Sequence, residues 1–588
     1  MKDLLLRVIA LAFFTQVFYQ FANAQARTDE AATLATKTLS SLSLEKKVAQ
    51  LVCAEISGHY ISDDDPKFLS WINLAREHGI GGFVIYGGTP HSVGILLNKL
   101  QQSAAIPILI STDFEGGPGQ QVTGASEFPS NMAFAATGDA GLMYRAAKIM
   151  GSEGKALGIH LTYTPVSDIS VSPDNPQESG RSFGGNLSVM KEMLNAYVKG
   201  YHESGMLTTS KHFPGRGDMK GGPAYPSFTT INKSLAELNA NEFKAFQYAV
   251  DAGVDFMMTE HIAIPAITDG SMLPASVEPR LVKGIMRDKL GFKGIITSDD
   301  LWYDHVTARF GREEVAVMAL MAGHDIVLKP KDPVATIQAI VDAVKKGRLT
   351  QDQIDQSVYK LLYKKFSLGL DKNKIINVDN ISKWVGTIEH KTVVQEVADR
   401  SVTLLRNEGV LPLTSLNPVK TVHITIQKDE DQPNVRMLTR EMTAAFPEMK
   451  QYSLKPGSGK SYYDEIIKAS ETSDLVILSL FVQRTRHGDP TPLRAEDLDL
   501  INKIIATKPG KVVAMSFGNP LLIKRINKIP AFMVGYGEGG FYGNQVVYFS
   551  SFIKVLKGEL APSGKLPIIV SEEFPIGTGL SYKVGPKK

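Results

Sequence analysis

Between about residues 45 and 370, short apolar runs alternate with longer amphipathic stretches. Val48–Ala54, Gly81–Tyr86, Pro107–Ser111, His160–Pro165, Met206–Lys211, Val254–Glu260, Gly294–Ser298 and Asp325–Leu328 read as buried strands. Met143–Leu157, Leu187–Glu203, Leu235–Ala252 and Arg312–Ala322 carry the helical repeat. Eight such alternations predict a (β/α)8 barrel, with a doubly wound open sheet as the competing arrangement. A polar stretch, Asp371–Lys383, then leads into Val393–Arg406. Apolar runs return at Val422–Ile426, Leu475–Phe481, Val512–Ser516, Ala531–Tyr536 and Leu566–Val570, separated by helical stretches such as Val435–Phe446 and Leu498–Ala506. This pattern predicts a second, smaller α/β layered domain.

Polar residues collect at the same end of the predicted barrel strands. Asp113 follows Ser111-Thr112, and Asp168 closes Pro165-Val166-Ser167. Lys211 and His212 end the fifth run, Glu260 and His261 the sixth, and Asp299 and Asp300 the seventh. Any one of these reads equally as a helix cap or loop residue. Asp or Ser caps would not supply Lys, His and Glu as well. A convergent polar ring at the mouth of a barrel accounts for the whole set, and that end of a parallel barrel is where substrates bind.

Before the barrel, Lys2 and Arg7 flank the start of an apolar run, Val8–Phe21, which closes on Ala22-Asn23-Ala24. A charged region, an apolar core and a small-x-small site predict an export signal over residues 1–24, cleaved near Ala24 and delivering the chain to a periplasm or the medium. The core is short for a membrane span, and no other segment is long and apolar enough to be one.

A chain of 588 residues with 43% hydrophobic and 21% charged residues suits a soluble protein of two or three domains. Its net charge of only +3 gives no reason to expect nucleic acid as a partner. One cysteine, Cys53, precludes an intrachain disulfide and reads as a buried thiol in preference to a nucleophile. Gly535-Tyr536-Gly537-Glu538-Gly539-Gly540 fits a dinucleotide fingerprint, but too little chain follows it, and a plain strand-to-helix turn is the simpler reading. No H-E-x-x-H or Cys/His cluster offers a metal-ligand set, so neither a metal nor a cofactor is expected.

An ordered set of motifs resembles glycoside hydrolase family 3, in particular its β-N-acetylglucosaminidase branch. The pieces are Leu44-Glu45-Lys46-Lys47-Val48-Ala49-Gln50, Asp113-Phe114-Glu115-Gly116-Gly117, Thr164-Pro165-Val166-Ser167-Asp168, Gly180-Arg181-Ser182-Phe183-Gly184, Lys211-His212-Phe213-Pro214-Gly215, Pro274-Ala275-Ser276, Gly291-Phe292-Lys293-Gly294 and Ser298-Asp299-Asp300-Leu301. Leu404-Leu405-Arg406-Asn407, Leu411-Pro412-Leu413 and Gly564-Lys565-Leu566-Pro567 resemble the family's second, α/β sandwich domain. The resemblance implies a catalytic barrel over 34–370, a linker over 371–392 and the sandwich over 393–588. It implies Asp299 as the nucleophile of a retaining glycosidase, which needs a carboxylate at that strand end and a second acid about 5–5.5 Å away. It also implies sugar contacts from Asp113, Arg181, Lys211, His212 and His261. For His212 taken alone, a structural histidine is the alternative reading.

The chain departs from the branch in two places. The loop after the Lys-His-Phe-Pro-Gly segment lacks the Asp-Ser-His signature whose histidine is the general acid/base. Gly222, Pro223 and Ala224 stand at those positions, and no histidine lies between His212 and His261. Pro118 and Gln121 stand where the branch has arginines. Asp218, in the rewritten loop, is the candidate acid/base, with Glu260 second; either would need a raised pKa. Asp218 otherwise reads as a loop residue and Glu260 as the partner of a nearby cation. A third source is the second domain, whose Arg484–Glu496 loop holds Asp489 and Glu496. The expectation is an exported retaining exo-β-glycosidase acting on terminal β-linked N-acetylglucosamine. A β-glucosidase and a carbohydrate-binding protein without turnover are the alternatives.

Overall fold

A computed structural model describes residues 27–171, 180–217, 229–413, 420–428, 433–482, 489–537 and 544–584. The predicted export signal and Asp218 lie outside the described residues.

Eight parallel strands form the first sheet: β1 (Val52–Ser57), β2 (Gly82–Tyr86), β3 (Leu109–Thr112), β4 (Leu161–Thr162), β5 (Leu207–Phe213), β6 (Phe256–Thr259), β7 (Ile295–Ser298) and β8 (Val327–Leu328). They pair in sequence order, and Val52 of β1 stands opposite Val327 of β8. A bridge between Thr297 and Ile326 joins β7 to β8 and closes the ring. The open-sheet alternative is thereby eliminated.

Side chains alternate across each strand, so both faces are buried, as in a barrel wrapped by helices. Cys53, Val84, Leu109, Leu161, Leu207, Phe256 and Ile295 fill the interior. Phe83, Ile85, Ile110 and Ile296 pack outward under the helices. Burial pushes the Cys53 thiol up to about 11, consistent with an inert thiol. The outer helices start at side-chain caps, for example Asp139 accepting from Leu142 N (3.0 Å) at the head of Ala140–Ala156.

The expected elements shift in four places. Val48–Gln50 close the helix Leu44–Gln50, capped by Ser43, and the strand begins only at Val52. The expected helix Leu235–Ala252 breaks at Asn241 into Leu235–Ala240 and Glu242–Asp251. Strand β4 is only Leu161–Thr162, because Pro165 has no N–H to donate to a ladder. Leu566–Val570 is no strand, although Leu566 N donates to Thr578 O (2.8 Å).

The second sheet contains β9 (Thr403–Asn407), β10 (Thr421–Gln427), β11 (Lys450–Leu454), β12 (Leu475–Phe481), β13 (Val512–Ser516) and β14 (Ala531–Val534), in the order β9-β14-β13-β12-β10-β11. Only β9 runs antiparallel to its neighbour. The helix Ile388–Ser401 leads into β9, starting inside the stretch expected as linker. Gly535 and Gly537 lie where the chain leaves β14, and Tyr536 between them is buried with its hydroxyl on Thr403 (2.8 Å), while Glu538, Gly539 and Gly540 lie outside the described residues.

The two sheets' surroundings meet beside the barrel mouth. Gly185 N, in the loop after β4, donates to Pro567 O (2.9 Å), and Lys565 N donates to Ala136 O (2.9 Å). The loop that carries Arg181 is thus braced by the C-terminal part of the chain.

Candidate active site

The polar strand ends converge at the C-terminal mouth of the barrel, and they are joined to one another. Lys211 Nζ, from β5, lies 2.5 Å from Asp113 Oδ1 and 2.8 Å from Glu115 Oε1. Arg181 meets Glu115 in a two-pronged pair, Nε to Oε2 at 2.8 Å and Nη2 to Oε1 at 2.7 Å. This bidentate geometry is the strongest that a guanidinium offers. Arg181 Nη2 also donates to His212 Nε2 (3.1 Å), while His212 Nδ1 donates to Asp168 Oδ2 (2.7 Å). His212 therefore uses one nitrogen as acceptor and the other as donor, the pattern of a neutral imidazole.

This network joins the sugar-binding candidates Asp113, Arg181, Lys211 and His212 into one wall. Burial alone would raise Glu115, yet Arg181 and Lys211 hold it well below the usual carboxylate range. Burial would lower Lys211, and Asp113 with Glu115 keep it above the ordinary lysine value. Burial raises Asp168, which also accepts from Arg216 N (2.9 Å). Asp113 is the most exposed member, and Tyr86 Oη donates to its Oδ2 (3.2 Å). Asp113 is thus the outermost carboxylate of this wall.

Asp299 follows β7, with its N–H on Thr259 O (2.9 Å) and its Oδ1 accepting from Asp300 N (2.7 Å). The carboxyl is buried, and desolvation together with the neighbouring Glu260 raises its pKa. Arg216 opposes that rise, its Nη2 3.3 Å from Asp299 Oδ2. The same guanidinium grips Glu260 Oε2, with Nε at 2.5 Å and Nη2 also in contact.

Of the two readings of Glu260, the contact with Arg216 favours the partner of a nearby cation. A proton donor there needs a raised pKa. Although burial pushes Glu260 up, Arg216 and His261 pull it below its ordinary value, so it stands as an ionised partner of Arg216. Asp218 lies outside the described residues. Of the second-domain candidates, Asp489 sits 3.2 Å from Arg525, and Glu496 is exposed on the first turn of Ala495–Thr507.

His261 lies apart from the Asp113, Glu115, Arg181, Lys211 and His212 network. Its Nδ1 pairs with Ser276 Oγ (2.8 Å) and its Nε2 with the Asp300 carbonyl (3.1 Å), so it steadies the peptide beside Asp299. Pro118 opens the short turn Pro118–Gln120, and Gln121 is buried behind it.

Sequence reasoning missed Arg216, although it lies in the segment that carries Lys211 and His212. It quoted Glu115 and Asp168 without giving them roles. Acidic residues a few positions beyond a strand end reveal no partner by themselves; only the fold shows which cations they meet.

Known proteins resemble the chain over both domains. The family model described as the glycosyl hydrolase family 3 N-terminal domain matches residues 43–363, and the family 3 C-terminal domain matches 402–575. The chain is 27% identical over 551 residues to a β-N-acetylglucosaminidase/β-glucosidase of Cellulomonas fimi, covering 90% of this chain and 94% of the relative. It superposes on a family 3 β-N-acetylglucosaminidase from Paenibacillus sp. str. FPU-7 with a TM-score of 0.76 and 28% identity, covering 90% of this chain and 99% of the other. A β-glucoside phosphorylase shares the fold, with a TM-score of 0.80 at 23% identity, over 92% of this chain and 96% of that one. With both family domains matched in order, and a ring of charged side chains at the mouth of the barrel, the chain belongs to glycosyl hydrolase family 3.

Proposed function

We propose that this protein is an exported retaining exo-β-glycosidase that releases terminal β-linked N-acetylglucosamine. The observation that carries the reading is Asp299: a buried carboxylate at the end of β7, beside Arg216 in a mouth whose other wall is the Asp113, Glu115, Arg181, Lys211 and His212 network. In the first step an Asp299 oxygen bonds to the anomeric carbon, the bond to the leaving oxygen breaks, and that oxygen takes a proton. In the second step water attacks the same carbon, gives up a proton and frees Asp299. Asp218 remains the proposed proton donor, and the residue 1–24 pattern supports export. Charged and polar groups suit a polyhydroxylated ring, because a ligand that leaves them unpaired binds poorly.

Activity on β-glucosides is the second reading, favoured by the second domain, the altered acid/base loop and the dual name of the Cellulomonas fimi relative. The test is to incubate the mature protein with nitrophenyl β-N-acetylglucosaminide, nitrophenyl β-glucoside and a 2-deoxy-2-fluoro glycoside, and to locate any covalent label by mass spectrometry. Labelling of Asp299 is expected. Undiminished turnover in Asp299→Asn rejects the mechanism, and sugar binding without hydrolysis of any substrate rejects the enzyme.

A further inference from the structure

A second charged centre lies at the barrel mouth, around a lysine that belongs to none of the family motifs. Lys329 follows β8 and is 7% exposed. Its φ of +49° lies in the left-handed region, where a lysine stays only if its surroundings over-determine it. Its ammonium sits 2.8 Å from Asp300 Oδ2 and 2.6 Å from Glu55 Oε2. It also lies over the rings of Tyr86 (4.8 Å) and Trp302 (5.3 Å). Trp302 Nε1 donates to the same Asp300 oxygen (3.2 Å), and Leu301 N donates to Leu328 O (3.0 Å). Residues of β1, of β2 and of the loop after β7 therefore converge on one cation.

Two connections give that cation a bearing on the reaction. Asp300 adjoins Asp299, and its N–H holds Asp299 Oδ1 at 2.7 Å. Tyr86 carries the hydrogen bond to Asp113. The titratable groups facing Lys329 are Glu55, Asp300, Tyr86 and Cys53, with Asp299 and Asp113 one contact further on. Burial pushes the Asp300 carboxyl up to about 6, against the pull of Lys329 and with a further push from Asp299. Burial also works against the charge on Lys329, but Asp300 and Glu55 keep it above the ordinary lysine value. Without the ammonium, two buried carboxylates would stand side by side with no compensating charge on Asp300.

We propose that Lys329 is a positioning residue for glycoside cleavage: it clamps Asp300 and Glu55 beneath Tyr86 and Trp302, fixing the peptide that carries Asp299 and linking it to Asp113. The inference rests on Asp299 being the nucleophile. Lys329→Met, Lys329→Arg, Asp300→Asn and the double variant Lys329→Met/Asp300→Asn are assayed from about pH 4.5 to 9 on the nitrophenyl glycoside that the parent protein turns over fastest. Lys329→Met is expected to lower kcat by about 10–100-fold, the scale of a misplaced reacting group, and to move the acid limb of kcat/KM to higher pH. The double variant returns the limb towards the parent position, and Lys329→Arg keeps most of the parent kcat. Asp300→Asn alone, which removes a negative neighbour of Asp299, moves the limb to lower pH and tests the coupling even if Lys329→Met does not fold.

An unmoved limb in both Lys329→Met and Asp300→Asn overturns the proposal, as does a lowered melting temperature with kcat and limb unchanged. Fluoro-sugar labelling of the same set separates the two claims. A label on a residue other than Asp299 sinks the nucleophile assignment itself, whereas a label on Asp299 with an unmoved limb sinks only the role of Lys329.

Discussion

Arg216 Nη2 lies 3.3 Å from Asp299 Oδ2 while the same guanidinium holds Glu260, so one cation serves two buried carboxylates. Desolvation and Glu260 raise the pKa of Asp299, and Arg216 is the largest influence lowering it. If Asp299 is the nucleophile, as proposed, it acts only when ionised, and Arg216 then protects activity on the acid side.

Arg216→Met therefore raises the Asp299 pKa further and moves the acid limb of kcat/KM upward. The loss is larger at pH 5 to 6 than at pH 8, and on the order of 3–5 kcal/mol of stability is lost because Glu260 is left buried without its partner. Initial rates across pH and a urea titration check both parts, and an unmoved acid limb contradicts the first.

Lys365, on the helix Gln351–Ser367, is buried with its Nζ on Gln50 Oε1 (2.8 Å), and burial lowers its pKa to about 7. Between about pH 7 and the ordinary lysine value, the unfolded chain binds a proton that the folded chain does not, so this group makes stability rise with pH across that window. Below about pH 7 both states carry the proton, and the cost of burying it is fully present. Lys365→Met is expected to stabilise the fold most at and below neutral pH and to flatten the rise above it. Melting temperatures at pH 6, 8 and 9.5 decide this.

Glu153 is fully buried and ties three separate segments together. Its carboxylate accepts from Ser126 N (2.9 Å) and Ser126 Oγ (2.6 Å), Gly386 N (3.0 Å) and His390 Nδ1 (2.6 Å). Glu153→Ala orphans those donors and should cost about 2–4 kcal/mol, with Glu153→Gln losing roughly half as much. Chemical denaturation measures the difference, and equal stability of the three proteins rules out the anchor.

Gly184 has a φ of +98°, and a Cβ there would come within 2.4 Å of Pro567 O. Gly184→Ala must shift either the loop holding Arg181 or the C-terminal segment bracing it. A loss of about 1–2 kcal/mol from the backbone alone is expected, with a fall in kcat/KM as Arg181 moves. Full activity in a folded Gly184→Ala protein would show that the brace is irrelevant to the site.

Alternating apolar runs made the barrel legible, because strands buried on both faces leave continuous hydrophobic signatures such as Gly81–Tyr86 and Gly294–Ser298. The same signal blurred at Val48–Gln50, where a helix end and a strand start are both apolar, and at Leu566–Val570, where Leu566, Ile568 and Val570 bury in a segment that joins no ladder. Strand-end chemistry was readable too: Asp299, Lys211, His212 and Asp113 are conspicuous because polar residues recur at the same end of several apolar runs.

Which of those charges neutralise one another was not readable, because partners come from different strands. Arg216 and Glu260 are 44 positions apart, and Lys329 reaches Asp300 and Glu55 from three different strand ends. Local periodicity reports which face of an element is buried. Pairing at the barrel mouth depends on which strands lie side by side, and β5 beside β6 brings Arg216 onto Glu260, as the counter-ion reading of Glu260 expects.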